Sequence, residues 1–127
     1  MKLEDKSGKQ KRQHFRLKYQ INDRPKLKVL RTDPGATQDK KLFTYDVIDI
    51  SERGIRFRYT GGIVENPLRG AVCFHSTEPW EFSGDLIRIQ NNQICLKLKE
   101  PIPLRLLVKE QRYLFDKYGA IIEADEF

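Results

Sequence analysis

The chain of 127 residues is 39% hydrophobic and 33% charged, with a formal net charge of +6. This length favours one domain with a small core, and no apolar run approaches the roughly 20 residues of a membrane-spanning helix. The N-terminal lysines are not followed by an apolar stretch, so we expect no signal peptide and a cytoplasmic location.

Positive charge is concentrated in the first quarter of the chain. Residues 1–31 contain eleven Lys or Arg and three acidic residues, whereas the remainder contains 13 basic and 15 acidic residues. We therefore expect an anionic partner at the N-terminal quarter rather than over the whole surface. Residues 1–11 have almost no apolar content, which predicts a flexible basic arm.

Short segments of alternating polarity follow this arm and predict β-strands. They cover residues 15–21, 26–31, 43–50, 55–59, 71–74, 80–90 and 94–98. Asn91-Asn92 is a plausible two-residue hairpin turn, since asparagine tolerates positive φ. Ser83-Gly84 predicts a break or bulge in the long strand 80–90.

The last element changes to the three-and-four spacing of an amphipathic helix. Its expected apolar face consists of Leu104, Leu107, Val108, Gln111, Leu114, Phe115 and Tyr118. Pro103 stands where a helix can begin and Gly119 where one can end. Six or seven strands and one helix predict a mainly β fold, an antiparallel barrel over residues 12–119 with the helix covering an open end or seam. Residues 120–127 form a short acidic tail without an assigned structure.

Little in the sequence suggests catalysis or a metal centre. Cys73 and Cys95 form no CxxC motif, and His14 and His75 lack metal-ligand spacing. Neither a nucleophile–base–orienter set nor a phosphate-binding GxxxxGK[ST] loop is present in the sequence. We therefore expect no enzymatic activity, no metal and no cofactor.

Two short segments together suggest a ligand site. Arg12 and Arg16 stand four apart in KRQHFR, and Asp49, Ser51 and Gly54 stand at fixed offsets in DISERG, between two predicted strands. Arginine can donate two bonds to a guanine edge or pair with phosphate. A carboxylate can accept from guanine N1 and N2, a serine hydroxyl can donate, and glycine permits close ligand approach.

These segments resemble the RxxxR and [D/N]xSxxG motifs of PilZ domains, the bacterial receptors for cyclic di-GMP. The resemblance extends to the late hairpin and the closing helix. It implies a PilZ-type barrel of six or seven strands, with Arg12, Arg16, Asp49, Ser51 and Gly54 contacting cyclic di-GMP. It also implies that binding draws residues 9–16 over the barrel rim and creates a surface for a downstream protein partner.

Three further positions bear on this resemblance. Lys11 stands where many members have another arginine, and it is included among the expected ligand contacts. Arg53 stands where a small residue or glycine is common, so it restricts the turn or adds a cation. Arg88 lies on a late strand where members sometimes add a contact. Whether one nucleotide or a stacked pair binds stays open.

Other interpretations of the same residues also stay open. The arginines alone could be a solvated basic face, and Asp49 and Ser51 could form an Asx or Ser turn. The basic N-terminal quarter, with Phe15 and Tyr19 nearby, is also typical of a small barrel that binds single-stranded nucleic acid. A third alternative is a PilZ-like adaptor that binds only proteins and no ligand.

Overall fold

The computed structural model describes residues 16–32, 40–62, 65–75, 78–119 and 122–123. The predicted basic arm, with Lys11 and Arg12, lies outside these residues. The described strands are β1 (Arg16–Lys18), β2 (Lys26–Thr32), β3 (Lys40–Ser51), β4 (Gly54–Arg58), β5 (Leu68–Cys73), β6 (Trp80–Gln90), β7 (Gln93–Leu98) and β8 (Ile122–Glu123). A 3₁₀ turn covers Ile21–Asp23, and α1 covers Leu104–Tyr118.

Six of the strands close into an antiparallel barrel. The order around the barrel is β2, β5, β6, β7, β4 and β3, and β3 pairs back onto β2 over seven residues of each strand. Beyond its pairing with β2, β3 continues along β4, and its final residues pair on their other edge with β1, which in turn pairs with β8. The prediction of a mainly β antiparallel barrel with one C-terminal helix is confirmed.

Alternation along the strands fills the barrel interior with apolar side chains. The inward residues of β4 and β7, Ile55, Phe57, Ile94 and Leu96, are all at most 2% exposed. Burying a side chain of this size contributes about 1.5–3 kcal/mol, so the interior supplies a large part of the stability. The predicted turn at Asn91-Asn92 is confirmed, because φ is 54° and 60° at these two residues.

Three strand predictions have wrong bounds. The first strand ends at Lys18 rather than at residue 21, and Ile21 lies in the 3₁₀ turn with 75% of its surface exposed. β3 begins at Lys40 rather than at residue 43, and β5 covers Leu68–Cys73 rather than residues 71–74. The irregularity predicted in β6 near Ser83-Gly84 is present slightly further along, between Leu86 and Arg88. Gly84 instead permits close strand packing, since a Cβ there would lie 3.1 Å from the Lys97 carbonyl oxygen.

The predicted bounds of the helix are confirmed, whereas part of its predicted apolar face is wrong. α1 follows Pro103 and ends at Gly119, which has a φ of 84°. Leu107 and Leu114 are buried as expected, together with Leu106. Three other members of the predicted face are exposed, namely Leu104 at 73%, Val108 at 44% and Phe115 at 60%. No helix in the described part of the chain is long and apolar enough to cross a membrane.

The side of α1 that faces the barrel carries a buried carboxylate. Its contacts explain why Leu104, Val108 and Phe115 face solvent instead. Glu110 is fully buried and accepts hydrogen bonds from the Tyr19 hydroxyl at 2.8 Å and the His75 backbone N–H at 2.8 Å. The ring Nδ1 of His75 lies 3.0 Å from the same carboxylate. Burial and the neighbouring Glu110 raise the pKa of Tyr19, so its hydroxyl keeps its proton and donates.

A second carboxylate holds the far end of the helix. Asp23, at the end of the 3₁₀ turn, accepts from the hydroxyls of Tyr118 at 2.7 Å and Tyr113 at 2.8 Å and from Lys117 Nζ at 3.1 Å. His75 lies between the two carboxylates, with Nε2 3.2 Å from Asp23 Oδ1 and its ring stacked on Tyr113. Hydrogen bonds from Tyr118, and then from Tyr113 and Lys117, lower the pKa of Asp23. We call Asp23, Glu110 and their donors the carboxylate anchor.

Candidate functional site

Arg16, the described arginine of the first motif, meets the second motif where β1 pairs with the end of β3. The register places Leu17 opposite Ile50 and Lys18 opposite Asp49. Arg16, immediately before this pairing, extends its side chain so that Nη1 lies 3.3 Å from Asp49 Oδ1. The pairing therefore joins one arginine of the RxxxR segment to the carboxylate of the second segment, 33 residues further on.

The Asp49 carboxylate is fully enclosed. Its side chain is 0% exposed, and its second oxygen accepts from both Nε and Nη2 of Arg56. The side chains of Arg16 and Arg56 are 35% and 32% exposed, so each is partly accessible to solvent. In this arrangement Asp49 orients two arginines, and a direct contact of its carboxylate with guanine would require one of them to move.

Arg56 is a site residue that the motif analysis missed. The two-residue turn at Glu52 and Arg53 pairs Ser51 with Gly54, and the same register puts Arg56 opposite Asp49. Counting outward from this turn in the sequence would have placed the two residues together, because antiparallel partners lie on the same face of a sheet. A register shift lies between Val47 and Asp49, so Asp49 faces the same side as Arg56 while Val47 and Ile50 are buried in the core.

The turn between β3 and β4 is held by the segment that precedes the helix. The carbonyl oxygen of Glu52 accepts from the N–H of Ile102 at 2.8 Å, and that of Arg53 accepts from the N–H of Leu98 at 2.9 Å. Among the described residues other than glycine, positive φ occurs only at Asn91 and Asn92. Arg53 therefore has no glycine-like backbone conformation, and its side chain is exposed.

Gly54 lies in close packing and has no unusual φ. A Cβ at this position would lie 3.1 Å from the Ser51 Oγ, tighter than an ordinary contact, and 3.5 Å from the Leu96 carbonyl oxygen. Ser51 is half-buried at the end of β3. The glycine therefore leaves the Ser51 hydroxyl room beside the turn.

A row of basic residues continues from Arg56 across the barrel. Arg56 pairs with Cys95 on β7, and Cys95 pairs with Arg88 on β6. With strands about 4.8 Å apart, the Cα atoms of Arg56 and Arg88 are about 10 Å apart on one face. Arg88 is exposed, and Lys97, also exposed, pairs with Gly54. The face is therefore cationic around the Asp49 carboxylate.

A separate cleft of about 670 Å³ lies elsewhere, between the start of α1 and the beginning of β6. It is lined by His75, Glu78, Pro79, Trp80, Arg105, Leu106 and Lys109. None of the predicted ligand contacts lines it. Within the described ranges, no group of three His, Cys, Asp or Glu side chains is arranged to hold a metal ion.

Taken together, the structure brings Arg16, Asp49, Ser51 and Gly54 to one corner of the barrel. Arg53 lies in the adjoining turn, and Arg88 lies two strands beyond Arg56 on the same face. Lys11 and Arg12 fall outside the described residues. Comparisons of the chain with protein-family models, with curated proteins and with solved structures gave no match.

Proposed function

We propose that this protein is a non-enzymatic receptor for cyclic di-GMP that binds the nucleotide on the outer face of the barrel, where β1, β3 and β4 meet. The contact between Arg16 and Asp49 carries the proposal. It unites two segments that are remote in sequence and that each resemble half of a PilZ motif. A fully buried carboxylate requires cationic partners, and here one of them is the arginine of the RxxxR segment.

The chemistry of the corner suits a rigid dianion. Arg16 and Arg56 each direct donors to Asp49, and their side chains stay about one-third exposed, so that phosphate or a guanine edge can approach them. Fixing both guanidinium groups in advance reduces the entropy lost when the ligand binds. Ser51 contributes a hydroxyl at the turn, and Lys11 and Arg12 contribute the charge that directly precedes this corner in the sequence.

The same proposal includes a signalling step. Binding draws residues 9–16 over the rim of the barrel and changes the surface that a downstream protein partner meets. The basic charge of residues 1–31 supports this step, because an anionic ligand at Arg16 attracts the neighbouring lysines and arginines. The setting proposed for this receptor is the bacterial cytoplasm.

The main alternative, single-stranded nucleic acid binding, fits the described surface less well. Sequence-independent binders of single strands stack bases on exposed aromatic rings beside a basic groove. Phe115 is the one exposed aromatic residue in the described ranges, and it lies on α1 rather than beside Arg56. A small ligand held by arginine forks needs no such platform.

Isothermal titration calorimetry of the full chain with cyclic di-GMP tests the proposal. We expect saturable binding at tens of micromolar ligand or below, with much weaker binding of the linear dinucleotide, GTP and a single-stranded oligonucleotide. The molar ratio distinguishes one nucleotide from a stacked pair. Absence of heat with cyclic di-GMP, or tighter binding of the oligonucleotide, would refute the proposal.

A further inference from the structure

Three apolar side chains form a ridge on the solvent side of α1. Leu104, Val108 and Phe115 are 73%, 44% and 60% exposed, at spacings of four and seven residues. At 100° per residue these positions fall within about 40° of one another around the helix. The opposite side of α1 is fixed to the barrel by Leu106 and Glu110, both buried, so the helix cannot turn its ridge inward.

Three cations border the ridge on one side. Arg105, Lys109 and Arg112 are all exposed, and none of them forms an ion pair within the described part of the chain. Helical geometry places them about 60–120° from the middle of the ridge. Asp116 is the one acidic residue on this side of the helix. The surface is therefore apolar along its centre and positive along one border.

We propose that this ridge and its basic border form a docking surface for an acidic amphipathic helix of a different protein. The spacing of the ridge matches the rows of side chains that pack into the groove of a facing helix. Carboxylates on such a helix would meet Arg105, Lys109 and Arg112. The surface involves none of the residues of the nucleotide corner, so it stands whether or not cyclic di-GMP binds.

The charges argue against two other occupants. A second copy of this chain would bring the same three cations to a two-fold interface, where like charges repel. A membrane surface would accept the cations, but three apolar side chains form a narrow ridge compared with the wide apolar face of helices that lie in membranes. An acidic partner helix can pack apolar side chains on the ridge and pair its carboxylates with the cations of the border.

Fluorescence anisotropy with the full chain tests the surface. The probe is a labelled synthetic helix of about 18 residues, five turns, with leucine along one face and glutamate elsewhere. We expect saturable binding to the wild-type chain. The affinity should fall by roughly tenfold or more in Phe115→Ser and in Arg112→Glu, as for central residues of an interface. Leu42→Ser is the matched control, because Leu42 is 56% exposed on β3, outside the ridge, and should leave binding unchanged.

A second peptide with lysine in place of every glutamate should fail to bind. Equal binding of both peptides, absence of binding by the acidic peptide, or equal binding by wild type and Phe115→Ser would overturn the proposal. Sedimentation velocity tests whether a second copy of this chain binds the ridge, and vesicle flotation tests whether a membrane surface does. If the acidic peptide does not bind, a dimer that is lost in Phe115→Ser would assign the ridge to a second copy of this chain. Binding to phosphatidylglycerol vesicles that is lost in the same variant would assign it to a membrane surface.

Discussion

Asp49 organises the candidate site, although solvent does not reach it. Its two oxygens accept from Arg16 and Arg56, whose own side chains remain about one-third exposed. A buried carboxylate left without partners is strongly unfavourable, so the three residues depend on one another. At this scale the site is a small electrostatic unit rather than a set of independent ligand contacts.

We expect Asp49→Asn to lower the free energy of unfolding by about 1–3 kcal/mol, less than the loss for a fully buried pair because both arginines are partly hydrated. Urea denaturation measures this change. Asp46→Asn is the matched control on the same strand. Asp46 pairs with Lys26 at the surface, with side chains 37% and 51% exposed, so we expect its loss to stay below about 1 kcal/mol. Equal losses in the two variants would contradict the central role of Asp49.

Removing the arginine forks should weaken nucleotide binding. We expect Arg16→Ala and Arg56→Ala each to lose about 1.5–3 kcal/mol of binding free energy for cyclic di-GMP, roughly 10- to 100-fold in Kd. Arg58→Ala, two residues further along the same strand and exposed, should change affinity little. Calorimetric titration of the three variants gives the comparison. If Arg58→Ala loses as much binding free energy as Arg56→Ala, the loss comes from the lower positive charge of the surface rather than from a specific contact of Arg56.

Gly54→Ala should separate binding from stability. The added methyl meets the Ser51 Oγ at 3.1 Å, and this side chain can rotate away, so we expect a change in unfolding free energy of less than about 1 kcal/mol. The displaced hydroxyl should nevertheless weaken cyclic di-GMP binding. In Gly84→Ala the methyl meets a backbone carbonyl oxygen that cannot rotate away, so this variant should lose about 1–3 kcal/mol of stability. The reverse order of stabilities would be inconsistent with this account.

At the scale of elements, the helix and the 3₁₀ turn are joined by the carboxylate anchor. Asp23 receives two tyrosine hydroxyls and an ammonium group from the last two turns of α1. These donors favour the ionised carboxylate and lower its pKa, with the Tyr118 hydroxyl contributing most. The attachment of α1 to the barrel therefore depends on the charge of Asp23.

The lowered pKa predicts that the anchor weakens in acid. In the unfolded chain Asp23 binds a proton near its ordinary pKa of about 3.9, whereas the folded chain keeps the carboxylate ionised to lower pH. The unfolded state thus binds more protons below about pH 4, and stability falls as the pH falls. Urea unfolding measures the free energy of unfolding at about pH 6 and about pH 3. The decrease between these two pH values should be smaller in Asp23→Asn than in wild type. An identical loss would exclude Asp23 as a source of acid sensitivity.

Local sequence was sufficient to predict the existence of most strands but not all of their bounds, and it was sufficient for the hairpin at Asn91-Asn92 and the bounds of α1. Alternation, turn residues and flanking Pro103 and Gly119 act over a few residues, so they can be recognised without the tertiary structure. The direction in which α1 faces could not be predicted in this way. Apolar spacing favoured Leu104, Val108 and Phe115, whereas the folded chain buries Glu110, because Tyr19 and the His75 backbone donate to its carboxylate.

Across the whole molecule, the length of β3 brings the parts of the site together. β3 is long enough to pair with β2 along its first part and with β1 at its end, and this second pairing brings Arg16 to Asp49. The sequence motifs predicted that these residues belong together. Arg56 was missed, because its contribution follows from the register of the β3–β4 hairpin and from the shift beside Asp49 rather than from a motif.

The molecule carries two separate surfaces under this account. One is the cationic corner around Asp49, proposed for cyclic di-GMP, and the other is the ridge on α1, proposed for an acidic partner helix. Variants at either surface should leave the other unaffected, since mutations at distant sites without shared partners act independently. Arg56→Ala should therefore retain binding of the acidic peptide, and Phe115→Ser should retain binding of the nucleotide. Loss of both ligands in either variant would indicate that the surfaces are coupled.

The most direct test of the central claim is a titration of ¹⁵N-labelled protein with cyclic di-GMP, followed by two-dimensional NMR. We predict saturable shifts of the amide signals of Lys18, Ser51, Gly54 and Arg56, with the signal of Val108 unchanged. Absence of shifts at tens of micromolar nucleotide, or shifts confined to α1 and the cleft beside Trp80, would contradict the assignment of the ligand to the Asp49 corner.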